Sequence, residues 1–402
     1  MGVRELGEFK IYEENIMTYA IPLIKNAFYN EHQTRYDLSR FIRSSCNLSM
    51  GEQCQMFEET FASKQGRKHA VLVNSGGSAN LALLQALVNL RRLHAGDRCG
   101  FSALTWSTNV MPIIQMGLTP APVDVQPNTL NTTTAMIVQQ VQPIKAMFIT
   151  NALGFCGDLD SISKWCRENE VILLEDNCES LGTVTPYGKT GNFGLASTFS
   201  FYVAHHISTI EGGMICTNDY ELYNMLKIVR SNGWDRNLSR KEQTEMRGET
   251  SEFQARYTFY DLAYNFKPTE IAGWLGNNQM QYYDEIMNAR EKNYQKIATV
   301  IKNNHEILPL ADASYQKLPA FAIPIICDSP ESRKKYLERF DKADIETRPV
   351  IAGDITQQPF WKERYLSRKM IGVRYINDCG FYCGNCPDYS QDDIDTICRC
   401  VE

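Results

Sequence analysis

A chain of 402 residues, 43% hydrophobic and 22% charged, has the make-up of a folded protein of two or three units, or of a large α/β body with a smaller companion. Its net charge of −6, with no long run of Lys or Arg, excludes nucleic acid or an anionic membrane as the expected main partner, though a local basic pocket remains allowed. No stretch reaches the roughly 18 apolar residues of a membrane helix, and the charged opening MGVRELGEFKIYEEN is not a secretory signal, so a soluble, cytoplasmic protein with reduced thiols is expected.

The first 30 residues read as an N-terminal extension. Between about 50 and 220, two kinds of segment alternate. HAVLVNSGG (69–77) is a β-branched run ending in Gly-Gly, and it leads into the helical pattern SANLALLQALVNLRRL. RCGFSAL, APVDV, AMFITNA and VILLEDN are further short apolar runs, each beside a helix-like stretch. This alternation predicts βαβ units and a largely parallel sheet. Ligands of such sheets gather at the carboxyl ends of the strands. The residues there are Ser75-Gly76-Gly77-Ser78, Trp106, Asn151, Asp176 and Glu179.

NSGGSAN is either a phosphate-binding turn at a helix start or a plain tight turn. The Glu175-Asp176 pair that closes LLEDN suits a sugar hydroxyl, a metal or a protonated ring nitrogen. TFSFYVAHHISTIEGG then offers Ser200 and the adjacent His205 and His206, ahead of a Gly-Gly turn.

From 220 the pattern is a helix and then a long polar loop, followed by a strongly helical stretch over 269–304. PAFAIPIIC (319–327) is strand-like, SPESRKKYLERFDKA helix-like, and SQDDIDTICRCVE a final helix. The expected organisation is an extension (1–30), a large α/β domain (31–270), and a connecting helix with a small α+β domain (271–402). Cys379, Cys383, Cys386, Cys398 and Cys400 follow no standard zinc spacing, so they are read as small buried residues and no metal is expected.

The turn Ser75–Asn80, EDNCES (175–180), the run from Ser200 to Gly213, YNFKPTE (264–270) and GNCP (384–387) occur in one order. Together they resemble the motifs of the sugar-aminotransferase family of pyridoxal-phosphate enzymes, the DegT/StrS type of fold type I, over roughly residues 20–400. The resemblance implies a mostly parallel seven-stranded sheet flanked by helices, a small α+β C-terminal domain, and a homodimer with shared active sites. It implies that Asp176 binds the pyridine nitrogen and that Trp106 stacks on the ring. It gives the cofactor phosphate to Gly77, Ser78 and Ser200, with Asn265 of the partner subunit reaching the same group.

The Schiff-base position departs from the family. Where its Schiff-base lysine belongs, this chain has His205, and no lysine lies between Lys189 and Lys227. An imidazole cannot make that covalent link, so the cofactor is expected to sit non-covalently as pyridoxamine 5′-phosphate. The imidazole can still move a proton near working pH. This combination resembles the branch of the family that removes the 3-hydroxyl of nucleotide-linked, preferentially GDP-linked, 4-keto-6-deoxyhexoses, with L-glutamate restoring the amine.

Sister enzymes in that branch carry a [2Fe–2S] cluster whose cysteines follow the equivalent of GWDR. Here no cysteine lies between Cys216 and Cys327, so no cluster is expected. Glu179 is expected to orient His205 or the cofactor, and Arg236 and Arg348 to meet substrate phosphates. Cys386 replaces a usual histidine. The competing readings are a sugar aminotransferase using another lysine, a CDP-sugar 3-dehydratase, and a catalytically silent sugar-nucleotide-binding homologue.

Overall fold

The computed structural model describes residues 19–366 and 368–402, so most of the expected N-terminal extension lies outside the described residues. Twelve strands are described in chain order. The first nine are β1 (His69–Val73), β2 (Arg98–Ser102), β3 (Thr119–Val123), β4 (Ala146–Thr150), β5 (Ile172–Asp176), β6 (Val184–Thr185), β7 (Gly188–Lys189), β8 (Ala196–Ser200) and β9 (Gly213–Thr217). They are followed by β10 (Ala322–Ile326), β11 (Thr347–Arg348) and β12 (Gly380–Gly384). Seven of them form one sheet in the order β1-β9-β8-β5-β4-β2-β3.

Neighbours from β3 through β2, β4 and β5 to β8 run parallel, and β9 runs against both β1 and β8. The expected α/β class with a mostly parallel seven-stranded sheet is therefore the observed one. Its strands are short and apolar because both faces are covered: AMFIT of β4 is buried at all five positions.

Four helices lead the flanking layers: α1 (Glu31–Ser44), α2 (Glu52–Gln65), α3 (Gly76–Asn89) and α4 (Ser107–Gln115). α3 leaves β1 through Ser75, whose Oγ caps it by accepting from the Ser78 N–H at 3.1 Å. α4 starts directly after Trp106.

The long polar loop expected after residue 230 in fact contains two helices, Arg240–Arg247 and Glu252–Ala255. The first buries none of its residues and so has no apolar period to read; a capping box between Ser239 and Glu242 starts it. The helical stretch 269–304 is two helices, Glu270–Met280 and Tyr283–Ile301.

The C-terminal strands form an antiparallel sheet in the order β10-β12-β11, with helices Pro330–Lys342, Ile371–Cys379 and Gln391–Val401 beside it. Its core joins Tyr336, Phe340 and Phe381 to Leu153 and Phe155 from the segment after β4. The C-terminal sheet therefore packs against the same end of the large sheet that carries the candidate site. Cys383, Cys386, Cys398 and Cys400 lie in that core, Cys379 is buried too, and among the described residues no group of His, Cys, Asp and Glu is arranged to hold a metal. Among the described residues, no helix is long and apolar enough to cross a membrane.

Candidate active site

Five chain segments end at one cavity of about 320 Å³. It is lined by Ser75, Gly76 and Gly77 after β1, Trp106 after β2, Thr150 closing β4, Asp176, Cys178 and Glu179 from β5, and Ser200, Tyr202, Ala204 and His205 after β8. These are the carboxyl ends of parallel strands, where the sheet's geometry leaves a crevice.

Asp176 is the most constrained of these groups. Its Oδ2 accepts from Asn80 Nδ2 at 3.0 Å and from Asn109 Nδ2 at 2.7 Å, and its Oδ1 accepts from the Cys178 N–H at 2.8 Å. Glu175 points the other way. It is buried and takes the N–H groups of Gly191, Phe193 and Gly194, so of the two acids it is the one that folds the following loop.

The phosphate-type turn is set by contact distances. A Cβ on Gly76 would lie 2.7 Å from Ser200 Cβ, and one on Gly213 would lie 2.2 Å from the Ser75 carbonyl oxygen. Glycine at both positions lets β8 and β9 press against the start of α3. Gly76 and Gly77 open that helix and line the cavity, and first-turn N–H groups have no acceptor within their own helix.

His205 sits in a turn whose N–H donates to the Tyr202 carbonyl at 2.8 Å, and its ring lies against Phe321. Its Nδ1 is buried and has no hydrogen-bond partner among the described residues. Burial holds the imidazole down at about 4, against the backbone of Cys178 and the Asp176 carboxylate, which favour the charged ring. His206 is different: it is fully packed, with Nε2 within 2.7 Å of the Pro319 carbonyl, a structural partner. Glu179 lines the same cavity and accepts from the Leu153 N–H at 2.9 Å, while burial pushes its carboxyl up to about 7.

Other expected residues fall at or beyond the rim. Trp106 lines the cavity and is 56% exposed, so one face is open. Ser78 lies one turn into α3, its hydroxyl hydrogen-bonded to that of Ser75, and Asn151 locks the ends of β4 and β5 through the Asp176 carbonyl; neither lines the cavity. Arg348 stands opposite Tyr382, a cavity residue, and pairs with Glu346. Arg236 is exposed, stacked 3.9 Å over Trp234, and Asn265 is exposed beside Ser231; neither lines this chain's cavity. Cys386 is in the C-terminal core and does not line the cavity.

The sequence reading missed Phe321, Tyr382 and the two asparagines on Asp176. Phe321 and Tyr382 come from a distant part of the chain, and Asn80 and Asn109 lie inside helices, where nothing local marks their direction.

None of the cavity's lining residues is a lysine. Lys189 donates to the Lys64 carbonyl, and Lys227 lies over Tyr223 in a larger cavity of about 690 Å³ beside His69, at the opposite end of β1. An acid fixed by three N–H donors, the N–H groups that open α3, an open tryptophan face and an orphaned imidazole nitrogen together fit a phosphorylated pyridine ring.

A family model described as the DegT/DnrJ/EryC1/StrS aminotransferase family matches residues 30–402. The chain belongs to that family. Among its relatives, the GDP-4-keto-6-deoxy-D-mannose 3-dehydratase of Escherichia coli O55:H7 is 32% identical over 368 residues, covering 90% of this chain and 95% of the relative. The lipopolysaccharide biosynthesis protein RfbH of Salmonella typhimurium is 29% identical over 369 residues, 87% and 84% of the two chains. The solved Escherichia coli GDP-4-keto-6-deoxy-D-mannose-3-dehydratase with bound hydrated PLP superposes with a TM-score of 0.88 at 29% identity, over 96% of this chain and all of the other. A GDP-4-keto-6-deoxymannose-3-dehydratase structure with a trapped PLP-glutamate geminal diamine gives 0.87 at 30% identity, covering 95% and 100%.

Proposed function

We propose that this chain is a pyridoxamine-phosphate-dependent 3-dehydratase of a GDP-linked 4-keto-6-deoxyhexose, a carbon–oxygen lyase that yields a 4-keto-3,6-dideoxy sugar and uses L-glutamate to restore the cofactor amine. The observation that carries this reading is His205, an imidazole with an unpartnered nitrogen in a cavity without a lysine. The relatives that are 3-dehydratases of such a sugar support the substrate class.

When bound, the cofactor supplies an amine for the sugar ketone and a ring that accepts electrons. Asp176 would meet the ring nitrogen, Trp106 would lie against the ring, and Gly77 and Ser200, with Ser78 behind them in the first turn of α3, would hold the phosphate. His205 is neutral at working pH, so Nδ1 arrives able to accept a proton and to return it as acid. Glu179, lining the same cavity, would orient His205 or the cofactor while it holds the Leu153 loop beside them.

No Lys or Arg lines the single-chain cavity. The cations for glutamate and for the diphosphate are therefore Arg348, Arg236 and whatever the second copy of a homodimer brings, with Asn265 of the partner subunit on the cofactor phosphate. The units that do this are residues 31–270, holding the cofactor, and 271–402, closing over it.

The test is to incubate the purified protein with pyridoxamine phosphate, glutamate and GDP-4-keto-6-deoxymannose. Ammonia and 2-oxoglutarate should appear in step with loss of the 3-hydroxyl. A 4-amino sugar would instead show an aminotransferase, and binding without turnover a silent homologue.

A further inference from the structure

Two side-chain donors from two different helices converge on one buried carboxylate. Asp176 ends β5, Asn80 lies in α3 and Asn109 in α4, and the amides of both asparagines meet the same oxygen, Oδ2. An ionised carboxylate only accepts, so both side chains must present their NH₂ groups to it. The carbonyl of Asn80 then faces β8, where Thr198 Oγ1 donates to it at 2.7 Å and locks the amide the right way round. Asn80, Asn109 and Thr198 are all fully buried. In so dry a place each of these bonds is stronger than in water, and each one broken leaves a polar atom stranded.

The two oxygens of Asp176 are therefore unequal. Oδ2 has both lone-pair directions filled by carboxamides, whereas Oδ1 takes the Cys178 N–H. We propose that Asn80, Asn109 and Thr198 are positioning residues that commit Oδ1 to the cofactor's ring nitrogen and keep the shared proton on the ring rather than on the carboxylate. This rests on the cofactor reading above. Carboxamides drain charge from the carboxylate without competing for the proton, because an amide N–H has none to give up at working pH. Apolar side chains at 80 and 109 would fill the space but leave Oδ2 bare, and a bare buried carboxylate draws a proton toward itself. The arrangement thus bears on the ring's capacity to accept electrons, through groups that do not touch the sugar.

The test uses the full-length protein, pyridoxamine phosphate labelled with ¹⁵N at the ring nitrogen, and the variants Asn109→Ala and Thr198→Val. Wild type should bind the cofactor and give a protonated-ring ¹⁵N signal. Asn109→Ala should bind about tenfold more weakly, with the signal moved toward the unprotonated ring. Thr198→Val frees the Asn80 amide to turn over; it should move both readouts in the same direction by less, about threefold in affinity. Circular dichroism and melting check the fold, and Thr198→Val carries the test should Asn109→Ala not fold. A folded variant with the wild-type ¹⁵N signal overturns the proposal, because affinity loss alone is what a merely structural role would give. Wild type that binds no pyridoxamine phosphate overturns the cofactor reading itself, and this inference with it.

Discussion

The imidazole of His205 rests against the ring of Phe321, centroids 5.1 Å apart and planes tilted by 41°. Phe321 is in turn tied to the other side of the cavity. Its N–H donates to the Leu153 carbonyl at 3.0 Å, and the Leu153 N–H donates to Glu179 at 2.9 Å. Leu153 takes φ 52°, ψ 21°, a left-handed conformation that a leucine holds only when its surroundings impose it. His205 and the buried acid Glu179 thus share one short backbone link.

Replacing His205 with Asn removes the proton carrier while keeping a similar shape. Turnover should fall by about 10²- to 10⁴-fold, with pyridoxamine phosphate affinity changed by no more than about threefold. In wild type the acid limb of kcat/KM should centre near 4, where His205 takes its proton, and not near the 6.5 of a free imidazole. A limb at the ordinary imidazole value, measured across the pH range with a stable readout of 3-hydroxyl loss, contradicts the assignment.

Glu179 makes a stability prediction of the opposite kind. Its folded carboxyl near 7 lies above the unfolded value of 4.5, so the folded state binds the proton more tightly. The stability this gives is complete below 4.5 and is lost as pH rises through 7. Glu179→Gln keeps an uncharged acceptor for the Leu153 N–H and removes that loss. Urea unfolding should show the variant gaining on wild type by up to roughly 3 kcal/mol between about pH 5 and about pH 8. A constant difference across that window would contradict the buried acid.

Gly213 has no room for a side chain, since its Cβ would lie 2.2 Å from the Ser75 carbonyl oxygen and 2.8 Å from the Gly76 nitrogen. Gly213→Ala should cost about 1–3 kcal/mol of stability and displace the start of α3. Melting curves with and without pyridoxamine phosphate should show a lower midpoint and a smaller shift on adding the ligand. An unchanged ligand shift would separate the turn from cofactor binding.

Asn385 turns the GNCP segment into a clamp, because its Nδ2 donates to the Ala320 carbonyl at 2.7 Å and to the Arg290 carbonyl at 3.0 Å. Asn385→Ala should destabilise by about 1–3 kcal/mol, and by loosening Phe321 it should lower turnover more than cofactor affinity. Equilibrium unfolding and a cofactor titration check the two halves.

Much of the site could be read from the chain because its residues sit where strands stop. Ser75, Trp106, Asp176 and Ser200 each follow or end an apolar run, and a parallel sheet brings such ends together whatever the strand order. The departure at the Schiff-base position, His205, was visible as a residue type. Other features were hidden for physical reasons. Asn80 and Asn109 face Asp176 only because of how α3 and α4 roll against the sheet, which a helical period does not specify for a single polar residue. Phe321 and Tyr382 reach the cavity from the C-terminal sheet, more than a hundred residues away from His205. The exposed helix Arg240–Arg247 buries nothing, so it left no pattern beyond its capping pair.

On the proposed function, residue 205 moves protons beside a cofactor that no side chain holds covalently. Loading the protein with pyridoxal phosphate, reducing with borohydride and measuring the intact mass under denaturing conditions tests it most directly. Wild type should keep the mass of the bare chain, while His205→Lys should gain one reduced cofactor. A wild-type chain that retains the cofactor after denaturation would place a lysine at the reacting centre and contradict the account.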